Sequence, residues 1–81
     1  MFFKKKESTL ITYTLKIDGM RCGMCETHVN DYIRRNFDVK KVRSSASKGT
    51  TIIQSEKELD VKKITKILSE GGYIVVSWNK E

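Results

Sequence analysis

The chain has 81 residues, enough for one domain with a thin core made from a few short elements in two layers. It carries 16 Lys and Arg against 10 Asp and Glu, a net charge of +6 that favours acidic partners or surfaces and says nothing about fold. No apolar run approaches the roughly 20 residues of a membrane span, and the opening MFFKKKES sets its phenylalanines before its lysines, the wrong order for a secretory signal.

The expected organisation is a single unit over 1–81, with 1–8 a loose N-terminal extension. LITYTLKID alternates, with Ile11, Tyr13, Leu15 and Ile17 on one side and Thr12, Thr14 and Lys16 between them, so a half-buried strand is predicted. Asp18-Gly19 breaks it. Cys25, Val29, Ile33 and Phe37 then recur every four residues, with Tyr32 beside them, and predict an amphipathic helix over 24–36. In VKKVRSSAS, Val42, Ser44 and Ala46 share one face. SKG reads as a turn, and TTIIQS as the second strand of a hairpin. Ser55 and Glu58 have capping-box spacing, whereas Asp60 is a competing N-cap for the next helix. Leu59, Val61, Ile64, Ile67 and Leu68 form its apolar stripe, Gly71-Gly72 ends it, and YIVVSW is the last strand, followed by a polar NKE tail. The order strand, helix, strand, strand, helix, strand predicts an α+β, ferredoxin-like βαββαβ sandwich, with a four-stranded antiparallel sheet and both helices on one face.

The chemistry concentrates in Met20-Arg21-Cys22-Gly23-Met24-Cys25, which holds the only two cysteines and two of the three methionines. Two closely spaced cysteines without a signal sequence point to a reducing, cytosolic setting, where such pairs serve metal or redox chemistry. The pair falls where a strand ends and a helix begins. Unsatisfied N–H groups and positive potential at the helix start favour thiolate over thiol, and Arg21 adds a cation next door. A thiolate pair is soft and suits Cu(I), Zn(II) or a similar ion. A closed structural zinc site needs four protein ligands, and two Cys with one His cannot close one alone. A thioredoxin-like redox pair also sits at a strand-to-helix junction, but folds of that type place a cis-proline opposite it and this chain has no proline. A low-coordinate soft-metal site asks for nothing the sequence lacks.

Gly19-Met20-Arg21-Cys22-Gly23-Met24-Cys25 resembles the G-M-x-C-x-x-C signature of the heavy-metal-associated domain family, which includes small copper chaperones and the N-terminal domains of heavy-metal-transporting P-type ATPases. The resemblance covers nearly all of residues 10–78 and extends to the element order and to Gly72-Tyr73 before the last strand. It implies that Cys22 and Cys25 bind Cu(I) as a near-linear dithiolate, with Zn(II) or another soft metal as alternatives. It also implies that Met20 is a buried loop anchor, that Tyr73 shields the metal, and that cargo passes by ligand exchange to a P-type ATPase or another acceptor. Arg21 departs from the small or polar residue usual in copper chaperones. It also differs from the acidic residue frequent in zinc, cadmium and lead members.

Each candidate has a plainer reading. His28, three residues after Cys25, is either a solvent-facing helical histidine or a further ligand for zinc, copper or haem iron. Met24 is an exposed thioether near the metal or a cover over apolar surface. Met20 is core, Tyr73 a cap on the core with its hydroxyl near the thiolates, and Trp78 an edge packing residue. Lys4, Lys5, Lys6, Lys40, Lys41, Arg43, Lys62, Lys63 and Lys66 mostly read as solvated surface, since the strands lack the interleaved aromatics of an RNA-binding sheet. The functional expectation is a non-enzymatic Cu(I) chaperone or buffer, monomeric or bridged into a homodimer by metal. It involves no nucleic acid and no membrane insertion. The rivals are a thiol-disulfide redox protein and a scaffold or sensor domain.

Overall fold

A computed structural model describes residues 10–21 and 23–81. Its elements are β1 (Ile11–Asp18), α1 (Gly23–Asn36), β2 (Lys41–Ser45), β3 (Thr50–Ser55), α2 (Val61–Glu70) and β4 (Ile74–Lys80). The strands form one antiparallel sheet in the order β2-β3-β1-β4, which gives the expected ferredoxin-like βαββαβ fold. The loose extension expected over 1–8 lies outside the described residues.

Alternation in the strands decides which face is covered. Tyr13, Leu15 and Ile17 are buried in β1, and so are their in-register partners Ile53 and Thr51 in β3. On the other face Lys16 and Asp18 of β1, Lys41 and Arg43 of β2 and Ile52 of β3 are exposed. Cross-strand partners share a face, so one register commits the whole sheet. Val29 and Ile33 of α1 and Ile64 and Leu68 of α2 complete the core with Val42 and Tyr73. Cys25 and Phe37, at the two ends of the α1 stripe, are half-buried.

Local chemistry closes each helix. α1 has Glu26 in its first turn and Arg34 and Arg35 in its last, both arrangements favoured by the helix dipole. Asp60 is the N-cap of α2, its carboxylate accepting from the N–H groups of Lys62 and Lys63. Ser55, the rival cap, is buried and spent elsewhere: its hydroxyl accepts from Lys57 N–H at 3.1 Å and donates to the Lys57 carbonyl at 2.8 Å. The Gly71–Tyr73 segment ends α2 by donating N–H groups to the carbonyls of Leu68 and Ser69.

The last strand departs from expectation. It runs on through Asn79 and Lys80, because backbone pairing with β1 is indifferent to the polar side chains of the tail. Glu81 and Thr12 exchange two further backbone hydrogen bonds, of 2.8 and 3.1 Å. The register also shifts at Val76, since Lys16 faces Ser77 while Ile17 faces Val75. This one-residue bulge resets the alternation. It brings Trp78 opposite Leu15, on the helix-covered face, with its ring centroid 6.3 Å from that of Tyr13.

Candidate metal-binding loop

The segment between β1 and α1 is built on a glycine and a methionine. Gly19 has φ of +100°, a conformation that L side chains rarely adopt. A Cβ placed there would sit 2.9 Å from the carbonyl oxygen of Gly72, so the two loops at this end of the sheet touch backbone to backbone. Met20 follows and is 5% exposed, packed in the core as the sequence suggested. Arg21 is exposed. Cys22 lies outside the described residues.

Helix α1 begins at Gly23, so Gly23, Met24 and Cys25 form its first turn. The leading N–H groups of a helix have no intrahelical acceptors, and the macrodipole puts positive potential there. Cys25 therefore stands where a negative sulfur is favoured. It is half-buried and packs against the core cluster. A side chain at Gly23 would meet nothing within 4 Å, so the helix start is open to solvent on that side. Met24 is 70% exposed.

The turn is anchored from behind. The Glu26 carboxylate accepts from the backbone N–H of Ala46 at 2.6 Å, tying the first turn of α1 to the connection between β2 and β3. Farther along α1, Asn30 accepts from the Ser44 hydroxyl at 2.7 Å, and Ser44 lies 2.9 Å from the Thr51 hydroxyl. These contacts fix how the helix start sits on the sheet.

His28 has a partner that neither sequence reading foresaw. Its Nδ1 lies 3.3 Å from the Tyr73 hydroxyl, across 45 residues of sequence. Tyr73 is 6% exposed, and its ring also packs against Tyr32 at a centroid distance of 6.3 Å. The spacing of His28 from Cys25 was visible in the sequence, but the approach of the Gly71–Tyr73 segment was not. Among the described residues, no three His, Cys, Asp or Glu side chains cluster as a metal-ligand set. A groove of about 490 Å³ lined by Tyr13, Leu59, Val61 and Trp78 lies toward the other end of β1. No helix among the described residues is long and apolar enough to cross a membrane.

No protein-family model matches the chain, and no curated protein matches it significantly. Solved structures do. CopZ metallochaperone is similar with a TM-score of 0.72 and 23% identity, covering 80% of this chain and 98% of its own. The N-terminal domain of ZntA in its Zn(II) form has a TM-score of 0.71 and 21% identity, over 88% of this chain and 92% of its own. Oxidized MerP from Ralstonia metallidurans CH34 has a TM-score of 0.70 and 27% identity, over 84% of this chain and 99% of its own. The chain thus resembles heavy-metal-associated domains in fold.

Proposed function

We propose that this chain binds a soft metal ion, Cu(I) foremost, through the thiolates of Cys22 and Cys25, and passes it to an acceptor protein by ligand exchange. The observation that carries the reading is the placement of Cys25 in the open first turn of α1, three residues after Cys22, in a fold shared with a metallochaperone. Thiolates are soft donors that select Cu(I) over hard ions. Two ligands leave a coordination position through which an incoming thiolate attacks before the first bond breaks. Low coordination therefore reconciles tight binding with rapid transfer.

The role is binding and delivery rather than catalysis, in a reducing compartment where the thiols persist. The acceptor is a metal-transporting P-type ATPase or another metal-binding domain, and the net charge of +6 suits an acidic docking face. Zn(II) is the competing cargo, because the similar ZntA domain is described in its Zn(II) form.

The test is titration of the reduced protein with Cu(I) and with Zn(II) against a competing chelator, repeated with Cys22→Ser, Cys25→Ser and the double variant. Wild type takes Cu(I) from the chelator in a ratio of one ion per chain, each single variant binds more weakly, and the double variant does not compete. Binding by the double variant as tight as wild type sinks the proposal. A decisive preference for Zn(II) reassigns the cargo.

A further inference from the structure

The helices cover one face of the sheet, and the strand register fixes what stands on the other. Arg43 of β2 faces Ile52 of β3, which faces Thr14 of β1, which faces Asn79 of β4. To one side of that row lie Lys41, Gln54 and Thr12, and to the other lie Ser45, Thr50, Lys16 and Ser77. Lys41 and Arg43 therefore stand about 7 Å apart along β2, and Lys16 lies two strands away, about 10 Å across the sheet. These cations are exposed, and Ile52 between them is 40% exposed. A hollow of about 190 Å³ lies among Lys41, Arg43, Ile52 and Gln54.

The ion pairs among the described residues are Lys40 with Glu56 and Lys80 with Glu58, and neither involves Lys16, Lys41 or Arg43. The acidic groups of this face stand at its corners: Asp18 ends β1, and Glu81 follows β4 opposite Thr12. Basic side chains on an edge strand guard it against pairing with another chain, which by itself would explain Lys41 and Arg43 on β2. β1 and β3 are interior strands, so Lys16 and Ile52 have no edge to guard.

We propose that this open face docks an acidic segment of a partner protein, with carboxylates on Lys41, Arg43 and Lys16 and an aliphatic side chain on Ile52. Charge complementarity selects the partner. An aliphatic centre flanked by cations fits a segment that mixes acidic and aliphatic side chains, whereas a phosphate backbone offers nothing to Ile52. Tyr13 and Trp78 belong to the helix-covered face, so among the described residues no aromatic ring stands on the open face to stack a base. Lys16, Lys41 and Arg43 also fall short of the roughly four to eight basic residues that hold a segment to an anionic bilayer. The sheet separates this face from α1, so a partner held there leaves the first turn of that helix uncovered. Docking goes beyond the soft-metal reading and does not depend on it.

The experiment titrates the reduced, metal-free full chain, labelled with 15N, with a synthetic peptide containing Glu-Ser-Ile-Ser-Glu and blocked at both ends. In an extended peptide these Glu and Ile side chains share one side at a spacing of about 7 Å. Amide signals move at Lys41, Arg43, Ile52, Gln54 and Lys16 and stay still along α1 and α2. Lys41→Glu combined with Arg43→Glu weakens binding about tenfold, the upper end of what two exposed ion pairs supply. Lys16→Gln, a milder change, weakens it about threefold. Lys63→Glu combined with Lys66→Glu changes the net charge as much as the β2 pair does, on exposed positions of α2 behind the sheet. It leaves affinity within about twofold at physiological ionic strength, where charges more than about 8 Å away are screened. A peptide with serine in place of isoleucine binds about threefold more weakly. A peptide that moves no amide signal, shifts centred on the helices, or equal losses in the β2 and α2 double variants overturn the proposal. So does equal binding of the serine peptide, which reduces the contact to diffuse charge. A single-stranded oligouridylate, or a vesicle of phosphatidylserine and phosphatidylcholine, that moves the same signals at lower concentration than the peptide also overturns it, by giving the face to a nucleic acid or a membrane.

Discussion

Gly19 and Gly72 meet backbone to backbone: a Cβ on the first would lie 2.9 Å from the carbonyl oxygen of the second. They belong to the loop leaving β1 and the turn leaving α2, which are 53 residues apart in sequence and are brought together by the pairing of β1 with β4. Replacement of Gly19 by Ala forces a side chain into φ of +100° and against a backbone atom that cannot rotate away. A loss of about 2 kcal/mol or more is expected, from positive-φ strain together with the close contact. Urea unfolding measures it, and a variant as stable as wild type refutes the contact.

Glu26→Ala removes the acceptor for the Ala46 N–H and leaves that donor without its 2.6 Å partner. The expected cost is about 1–2 kcal/mol, which for a domain of this size lowers the melting temperature by roughly 4–16 °C. Amide exchange at Ala46 is the sharper readout. It accelerates in Glu26→Ala if the carboxylate holds the connection between β2 and β3, and is unchanged if it does not.

Asp60→Ala removes the side chain that satisfies the N–H groups of Lys62 and Lys63. The cost is about 1 kcal/mol, typical of an exposed N-cap. Ser55→Ala distinguishes the two sequence signals. As a cap for α2, Ser55 would be needed for amide protection at the start of the helix. Here its hydroxyl is bonded to Lys57, so Ser55→Ala must leave the Lys62 amide protected while Asp60→Ala exposes it; the Lys63 N–H keeps its 3.0 Å bond to the Asp60 carbonyl in either variant.

Met24 is 70% exposed beside Cys25. Met24→Ala should change stability by less than about 0.5 kcal/mol, as surface substitutions do. On the two-thiolate reading it also leaves Cu(I) affinity within about twofold, or roughly 0.4 kcal/mol. A tenfold loss of affinity with unchanged stability would make the thioether a ligand.

Much of the fold was legible in the chain because burial imposes periodicity. Tyr13, Leu15 and Ile17 alternate because β1 has one covered face. Val29 and Ile33 are spaced by four because α1 buries one stripe. The polar end of β4 escaped the same logic, since Asn79 and Lys80 belong to the sheet through backbone pairing that no side-chain pattern reports. Trp78 was placed at an edge by sequence, but the face it takes depends on the Val76 bulge, a choice made by the pairing with β1.

The candidate site divides along the same line. By itself the sequence determined that two cysteines stand three apart at a strand-to-helix junction, that Asp18-Gly19 breaks the strand before them, and that the order of elements suits a βαββαβ sandwich. These are local matters of spacing and period, written within a dozen residues at a time. Only the tertiary structure decided that Gly72 closes on Gly19, that Glu26 is spent on Ala46, and that His28 reaches Tyr73. Each of those contacts joins segments 20 to 53 residues apart. Their partners were chosen by how the sheet and helices pack, so the histidine beside the cysteines could be weighed from sequence as ligand or surface, but not seen as a hydrogen-bond partner of Tyr73.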